Sequence, residues 1–581
     1  MRKIALILAL CMLFGLVAAC TNDTDEGATP PADGGAQPAD TNDDTQPADT
    51  DDDSPPPVVA GNVDPYGPLA ERITLSIGRE ETPNVMFEPG EDSFNNYIVR
   101  FLSEQLNIDY HYEFSTDSAN QGYEMRVSMQ IASGDIPDVM TVTYPQLRQL
   151  VDAGLIADMT QTFDVFASPG LRQAMDSTNG VSLDLATFDG RLMAIPSVFP
   201  GMDSIPILYV RGDWMDELDL NPPQTIEDVA DITLAFREHN PSGTVTSGFA
   251  VQSQILNVGG GIFHLNGFFN AMDAFPGAWL WGDDGRVAYG SVQPEMREAL
   301  LAVRDLVERN VIDAGFAVRD VQQNRELVYS SQSGIFWGAW WTTQWLMEML
   351  VAEDESVRWD RHLIPAADGR VNAVMRNPSP NFVVVRADAC DLTKEAVMKT
   401  LNWQYFLDLD QALGVRPDGM NTRFSWRFFP INTLIIDYDS KEVQIQSVMD
   451  IVDGFKPLED IWSGDGITWY EGFTSVLEHG LHGAADISIS HANAWGWAIG
   501  AWLIQDNDAR GNINRIWQST YAVSPTMESR WGPLITLEEE TFLRILTGEA
   551  DISAFDDFVE QWHALGGETI IEELTAIANE N

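Results

Sequence analysis

A layered α/β fold is what the sequence predicts, and three observations carry the prediction. Stretches of period two (72–77 and 110–114) and the apolar 139–142 alternate with stretches of helical spacing (95–106 and 123–131). That is the order of a sheet with helices packed on it. Hydrophobic residues make up 44% of a 581-residue chain, enough for real cores in two to four lobes of ordinary size. No period of some tens of residues repeats, which excludes solenoids and propellers.

The elements follow in order from their residues. The alternating residues 72–77 end in turn formers. Tyr97, Ile98, Phe101, Leu102 and Leu106 then share one helical face. A second alternating stretch and a second helix follow, and Ser133-Gly134-Asp135-Ile136-Pro137-Asp138 breaks the chain before the apolar Val139-Met140-Thr141-Val142. Thr225-Ile226-Glu227-Asp228 is a capping-box start for a helix to about His239. Residues 295–311 and 392–407 read as further amphipathic helices.

Charge and the N-terminus bound the function. With 33 Lys+Arg against 88 Asp+Glu, the net charge is −55, which argues against nucleic acid and anionic lipid surfaces as partners. Three cysteines rule out a disulfide framework. Residues 1–19 read as a signal peptide: basic Arg2-Lys3, then an apolar run too short to span a bilayer. Val17-Ala18-Ala19-Cys20 resembles the lipobox of bacterial lipoproteins, which implies lipidation of Cys20 and removal of Cys11. Cys390 is then expected as a buried small apolar residue. Residues 20–60 hold eleven acids, no Lys or Arg, and Pro55-Pro56-Pro57. They are expected to be a disordered acidic tether that holds the body off the membrane.

The order of motifs then resembles a known family. Ala132-Ser133-Gly134-Asp135-Ile136-Pro137-Asp138, Gly154-Leu155-Ile156-Ala157-Asp158-Met159 and the hairpin Phe188-Asp189-Gly190-Arg191-Leu192-Met193-Ala194-Ile195-Pro196 come first. Tyr209-Val210-Arg211-Gly212-Asp213-Trp214, the Gly338-Ala339-Trp340-Trp341 turn and Phe555-Asp556-Asp557-Phe558 follow. Each is weak alone. In this order, behind a lipobox, they resemble the extracellular solute-binding proteins of bacterial ABC importers, in particular the large oligosaccharide-binding lipoproteins.

The resemblance implies a type II periplasmic-binding-protein-like fold, two α/β lobes joined by crossing hinge segments. Lobe one is expected at 61–203 plus 378–440 and lobe two at 204–377 plus 441–581. It also implies a monomer, lipid-anchored on the extracellular side or in the periplasm, that hands an oligosaccharide to ABC permease subunits. A peptide or other polar solute is the alternative ligand. Many large relatives carry a calcium loop after the helix that ends near His239. Here that stretch reads Asn240-Pro241-Ser242-Gly243-Thr244-Val245-Thr246-Ser247-Gly248 and lacks the carboxylates Ca²⁺ needs. No metal and no cofactor are predicted.

Sugars call for aromatic platforms and fixed hydrogen-bonding groups. The resemblance points to Trp340, and next to Trp341, as cleft-facing; Trp337 and Trp345 complete the same aromatic cluster. Thr143 and Tyr144 follow the strand whose loop lines the cleft in relatives. Asn95 and Asn96 could bind hydroxyls or cap the helix. Trp495 and Trp497 could form a second platform or pack in the core, and Trp531 is expected just before a capped helix on the cleft side. A surface carbohydrate-active enzyme is the rival class and needs paired carboxylates. Asp283/Asp284 and Glu538/Glu539/Glu540 are read as solvated turns or helix starts, and no nucleophile elbow, zinc motif or phosphate loop is present. His479, His482 and His491 are read as surface residues, and no catalytic residue is predicted.

Overall fold

Five strands build the first sheet, and their chain order already shows how the polypeptide travels. The computed structural model describes residues 63–580 apart from 82–86, 88, 118–121, 259, 343–356, 410–426, 462–463 and 480–488. The expected signal peptide, the tether, Cys11, Cys20, Trp345 and His482 lie outside the described residues, as do the side chains of Trp495, His479 and His491. Strands β1 (Ile73–Glu81), β2 (Ile108–Asp117) and β3 (Val139–Val142) are parallel, with β1 in the middle. The helices Tyr97–Leu106 and Gly122–Ser133 connect them, the βαβ arrangement that the alternating periods predict. β4 (Ile195–Pro196) closes the edge, giving the order β2-β1-β3-β9-β4, where β9 (Phe382–Val385) arrives from far along the chain and runs antiparallel to both neighbours.

A second sheet is made from the intervening chain. β5 (Ile207–Arg211) lies between β6 (Ile335–Gly338) and β7 (Trp359–His362), antiparallel to both. β8 (Val371–Val374) pairs in parallel with β10 (Ile513–Ile516). β3, β5, β6, β8 and β9 are buried along their whole length, with Thr141, Arg211 and Asn372 as the polar residues among otherwise mostly apolar side chains. No helix among the described residues is long and apolar enough to cross a membrane.

Local signals act as the sequence predicts. Thr225 Oγ1 accepts the Asp228 N–H at 3.1 Å while the Asp228 carboxylate accepts the Thr225 N–H at 2.9 Å, so the helix Ile226–His239 opens on a reciprocal cap. Asn240 ends it in the left-handed conformation at φ 46°.

Three segments carry the chain between the two sheets, and the first is bonded to both of the others. Ser197 N–H donates to the Asn381 carbonyl at 2.8 Å and Phe199 N–H to that of Pro378 at 2.9 Å. Val198 N–H reaches the Leu434 carbonyl at 2.9 Å, Gly201 N–H reaches that of Tyr438 at 2.8 Å, and Val198 and Ile435 form a parallel bridge. Segments 197–206, 375–381 and 433–440 therefore form a narrow waist with two larger sheets on either side.

Two expectations are corrected here. Cys390 is exposed rather than buried, because it sits at the start of the helix Asp391–Leu409, outside the apolar face. Trp531 lies inside the helix Pro525–Leu546 and not before it; Ser524 caps that helix by accepting the Met527 N–H at 3.4 Å.

Candidate functional site

The waist fixes where a ligand could enter. Residue Ile207, first in β5, pairs with Gly338, last in β6, so the turn after Gly338 is carried to the waist. There the Trp340 indole N–H donates to the Asp203 carboxylate at 2.8 Å, and Arg376 from the second crossing segment holds the other oxygen at 3.0 Å. Burial pushes the Asp203 carboxyl up, and the Arg376 guanidinium pulls it back toward the charged form. On the opposite side β1, β2 and β3 present their C-terminal ends, Glu81, Asp117 and Val142. In an open α/β sheet the crevice outside such ends receives the ligand.

The residues singled out from sequence divide into two groups. Trp340 is only 6% exposed, edge-on to Trp469 at 5.8 Å and to Trp497 at 6.2 Å. Gly500 of the helix Ile489–Ala509 presses on its backbone, leaving 2.7 Å between a Cβ there and the Trp340 carbonyl oxygen. Trp341 is half-buried and its carbonyl accepts the Trp497 indole N–H at 3.2 Å. Trp337 is enclosed by Phe249 and Phe268, and its N–H finds no partner. It lines a cavity of about 30 Å³ with His264, Asn270 and Gly267, room for a water or two and none for a sugar. Burial pushes the His264 imidazole in that wall below its ordinary value, and its Nδ1–H donates to the Gln254 carbonyl at 2.8 Å.

On the strand-end side, Thr143 and Tyr144 open the helix Tyr144–Asp152 directly after β3. Thr143 N–H and hydroxyl both address the Gln146 amide oxygen, at 3.1 and 3.3 Å. Tyr144 stays half-buried between Phe188 and Phe382, with ring centroids at 6.4 and 5.8 Å. Asn96 is 1% exposed and fully used by the fold: its oxygen accepts the Val99 N–H at 3.1 Å and its amide donates to the Phe428 carbonyl at 3.1 Å. The capping alternative describes it. Asn95, next to it, accepts from Arg100 at 3.1 Å.

Trp531 joins a separate aromatic nest with Trp279 at 5.6 Å and Tyr289 at 5.3 Å. Glu538 is buried beneath that nest, contrary to its reading as a solvated acid. It accepts from the Tyr289 hydroxyl at 2.8 Å and from the Ser291 hydroxyl at 2.7 Å, and burial pushes its carboxyl up to about 7.

Sequence reasoning passed over Asp203, Arg376, Lys441 and Trp469. Nothing local marks them; each matters through a partner more than twenty-five residues away. Lys441 lies 5.8 Å from the Trp469 ring centroid and adds its charge to that of Arg376 on Asp203.

Comparison with known proteins agrees with this architecture. Residues 89–404 match the bacterial extracellular solute-binding protein family. The chain is similar to the fructooligosaccharide ABC transporter substrate-binding protein FusA of Streptococcus pneumoniae serotype 4, 22% identical over 42% of this chain and 46% of that one. It is also similar to the polygalacturonan/rhamnogalacturonan-binding protein YtcQ of Bacillus subtilis strain 168, 22% identical over 43% of this chain and 47% of the other. The matched stretch thus spans about half the length of these relatives. Among solved structures, an extracellular solute-binding protein from Bifidobacterium longum subsp. infantis superposes with a TM-score of 0.60 at 14% identity, over 87% of this chain and 98% of that one. The alginate-binding protein AlgQ2 without calcium gives 0.57 at 16% identity, over 88% and 99%. These superpositions establish the two-lobe, type II periplasmic-binding-like fold. By the family match over more than half its length, this chain belongs to the bacterial extracellular solute-binding proteins.

Proposed function

We propose that the protein is a lipid-anchored receptor that captures an oligosaccharide between two lobes and delivers it to an ABC permease. The observation that carries this reading is the waist: three crossings, the first bonded to both others, with Trp340 and Trp341 brought to it from one sheet and the C-terminal ends of β1 and β3 facing it from the other. Such a waist lets the lobes close as rigid bodies, and ligand selects the closed state. The lobes divide at 203/204, 377/378 and 440/441, inside the three crossings. Trp341 and Tyr144, which keep exposed surface, are the platforms; Trp340 and Trp337 set the shape beneath them, with Thr143 and Trp497 at the border. Cys20 carries the anchor. FusA and YtcQ are named for the binding of oligo- or polysaccharides, which supports a sugar over a peptide.

A thermal-shift screen of the protein against oligosaccharides and peptides tests the reading. A ligand at about a hundred times its dissociation constant adds roughly 2.7 kcal/mol to stability. Stabilisation by a glycan that is recovered intact is expected. Stabilisation by peptides alone, or consumption of the glycan, refutes it.

A further inference from the structure

The cations around the waist are already engaged. Arg376 holds Asp203 at 3.0 Å and lies 5.5 Å from the Phe199 ring centroid. Arg515, on β10, holds two carboxylates, Glu442 at 2.8 Å and Asp508 at 3.0 Å. Glu442 is buried, and its second oxygen has no hydrogen-bond partner. Beside the helix Ser440–Val452 opens a cavity of about 540 Å³ in which Asp439, Glu442, Asp460 and Asp508 face Lys456 and Arg515. Lys456 is itself bonded to Asp450 at 2.9 Å. Across the waist, Arg79 donates to the Arg427 carbonyl at 2.7 Å and pairs with Glu81 at 3.3 Å. Lys441 donates to Gln444 at 3.1 Å and contributes its charge to Asp203.

A uronate is recognised by an Arg fork or a Lys with charge to spare, because its carboxylate gives up hydration on entering. A guanidinium already bridging one or two buried carboxylates has none to offer. The surplus acids repel a further anion through a medium that screens them less than bulk water does. A neutral sugar makes no such demand: aromatic surface for its C–H faces and fixed dipoles for its hydroxyls suffice. Trp341 and Tyr144 provide surface of that kind.

We infer that the cleft takes an uncharged oligosaccharide and rejects uronate-bearing ones, because Arg376, Arg515, Lys456 and Arg79 are each paired with a carboxylate of the chain itself. This rests on the binding-protein reading above.

Isothermal titration of the full chain in detergent separates the two. Three sets of equal length are titrated at physiological ionic strength: neutral hexose and pentose oligosaccharides, oligogalacturonates, and glucosamine oligomers. A neutral glycan is expected to bind, and the oligogalacturonate of equal length to bind at least about a hundredfold more weakly. The gap is expected to narrow as salt is raised. An oligogalacturonate or glucosamine oligomer that equals or exceeds every neutral glycan overturns the inference and leaves the receptor reading standing. Absence of heat from all three sets overturns the receptor reading, and the inference with it.

Discussion

The Trp340 indole N–H donates to the Asp203 carboxylate at 2.8 Å, which ties the turn after β6 to the first crossing segment. Arg376 from the second crossing shares the same carboxylate, so one buried acid joins three parts of the chain. Asp203→Ala strands a guanidinium and an indole N–H together. Loss of one partner of a fully buried pair costs about 3–5 kcal/mol, and the loss here is expected below that because Asp203 and Arg376 keep 17% and 29% of their side-chain surface exposed. Asp203→Asn keeps an acceptor for Trp340 and is expected to cost less than half as much. Urea denaturation of both variants checks the order; equal losses would mean that the acceptor geometry contributes nothing.

Trp340 and Trp341 are adjacent yet differ in exposure, and the difference predicts different phenotypes. Trp340 packs against Trp469 and Trp497, so Trp340→Ala should lower stability by about 3–5 kcal/mol through the cavity it leaves. Trp341 is half-buried, so Trp341→Ala should weaken glycan binding with a far smaller loss of stability. Titration calorimetry and thermal melts on the pair separate the two effects. Unaltered affinity in Trp341→Ala would remove it as a platform.

Local patterns in the sequence were enough for the elements, and long-range packing decided the site. The Thr225–Asp228 cap, the breaker before β3 and the helix Tyr97–Leu106 are all set within a few residues, and all are found where the pattern places them. The enclosure of Trp340 depends on the helices Gly464–His479 and Ile489–Ala509, more than a hundred residues downstream. Glu538 differs from its neighbours Glu539 and Glu540 only because it faces Tyr289 and Ser291, some 250 residues earlier in the chain. Asn96 illustrates the intermediate case: helix capping was legible, whereas its burial under the Phe428 carbonyl was not.

Burial raises the Glu538 carboxyl from its ordinary value of 4.5 to about 7. The folded state therefore binds a proton that the unfolded state has already released. The associated stability is fully present below about pH 4.5 and is lost as pH rises to about 7, a fall on the order of 3 kcal/mol from this group alone. Glu538→Gln keeps the polar contacts to Tyr289 and Ser291 but does not titrate. Urea midpoints at pH 5 and pH 8 should converge in the variant relative to the parent; the same pH dependence in both would assign it elsewhere.

Cys390 is exposed, and its thiol is held below the usual range by hydrogen bonds from Thr393. A lowered, accessible thiol reacts readily as the thiolate. In the native protein a thiol reagent should label Cys390 without denaturant and leave glycan affinity unchanged, since no waist residue touches it. Labelling that appears only after unfolding would restore the buried reading.

Gly201 and Tyr438 set the spacing of two crossings. Gly201 N–H donates to the Tyr438 carbonyl at 2.8 Å, and a Cβ on Gly201 would stand 2.2 Å from Tyr438 Cε1. The ring cannot yield easily, because its other face meets Trp517 at 5.1 Å. Gly201→Ala must therefore push the first and third crossings apart, an overpacking that costs about 1–3 kcal/mol. Its effect on binding depends on whether the contact persists through closure. Crossings bonded backbone to backbone form the axis of a hinge, and an axis is common to the open and closed states. The strain then raises both states equally, and a change common to both shifts neither population. Gly201→Ala is thus expected to lower the urea midpoint while leaving glycan affinity and the ligand-induced compaction seen by small-angle scattering unchanged. A drop in affinity that parallels the drop in stability would show that the contact forms only on closure, and would move the hinge axis away from Gly201.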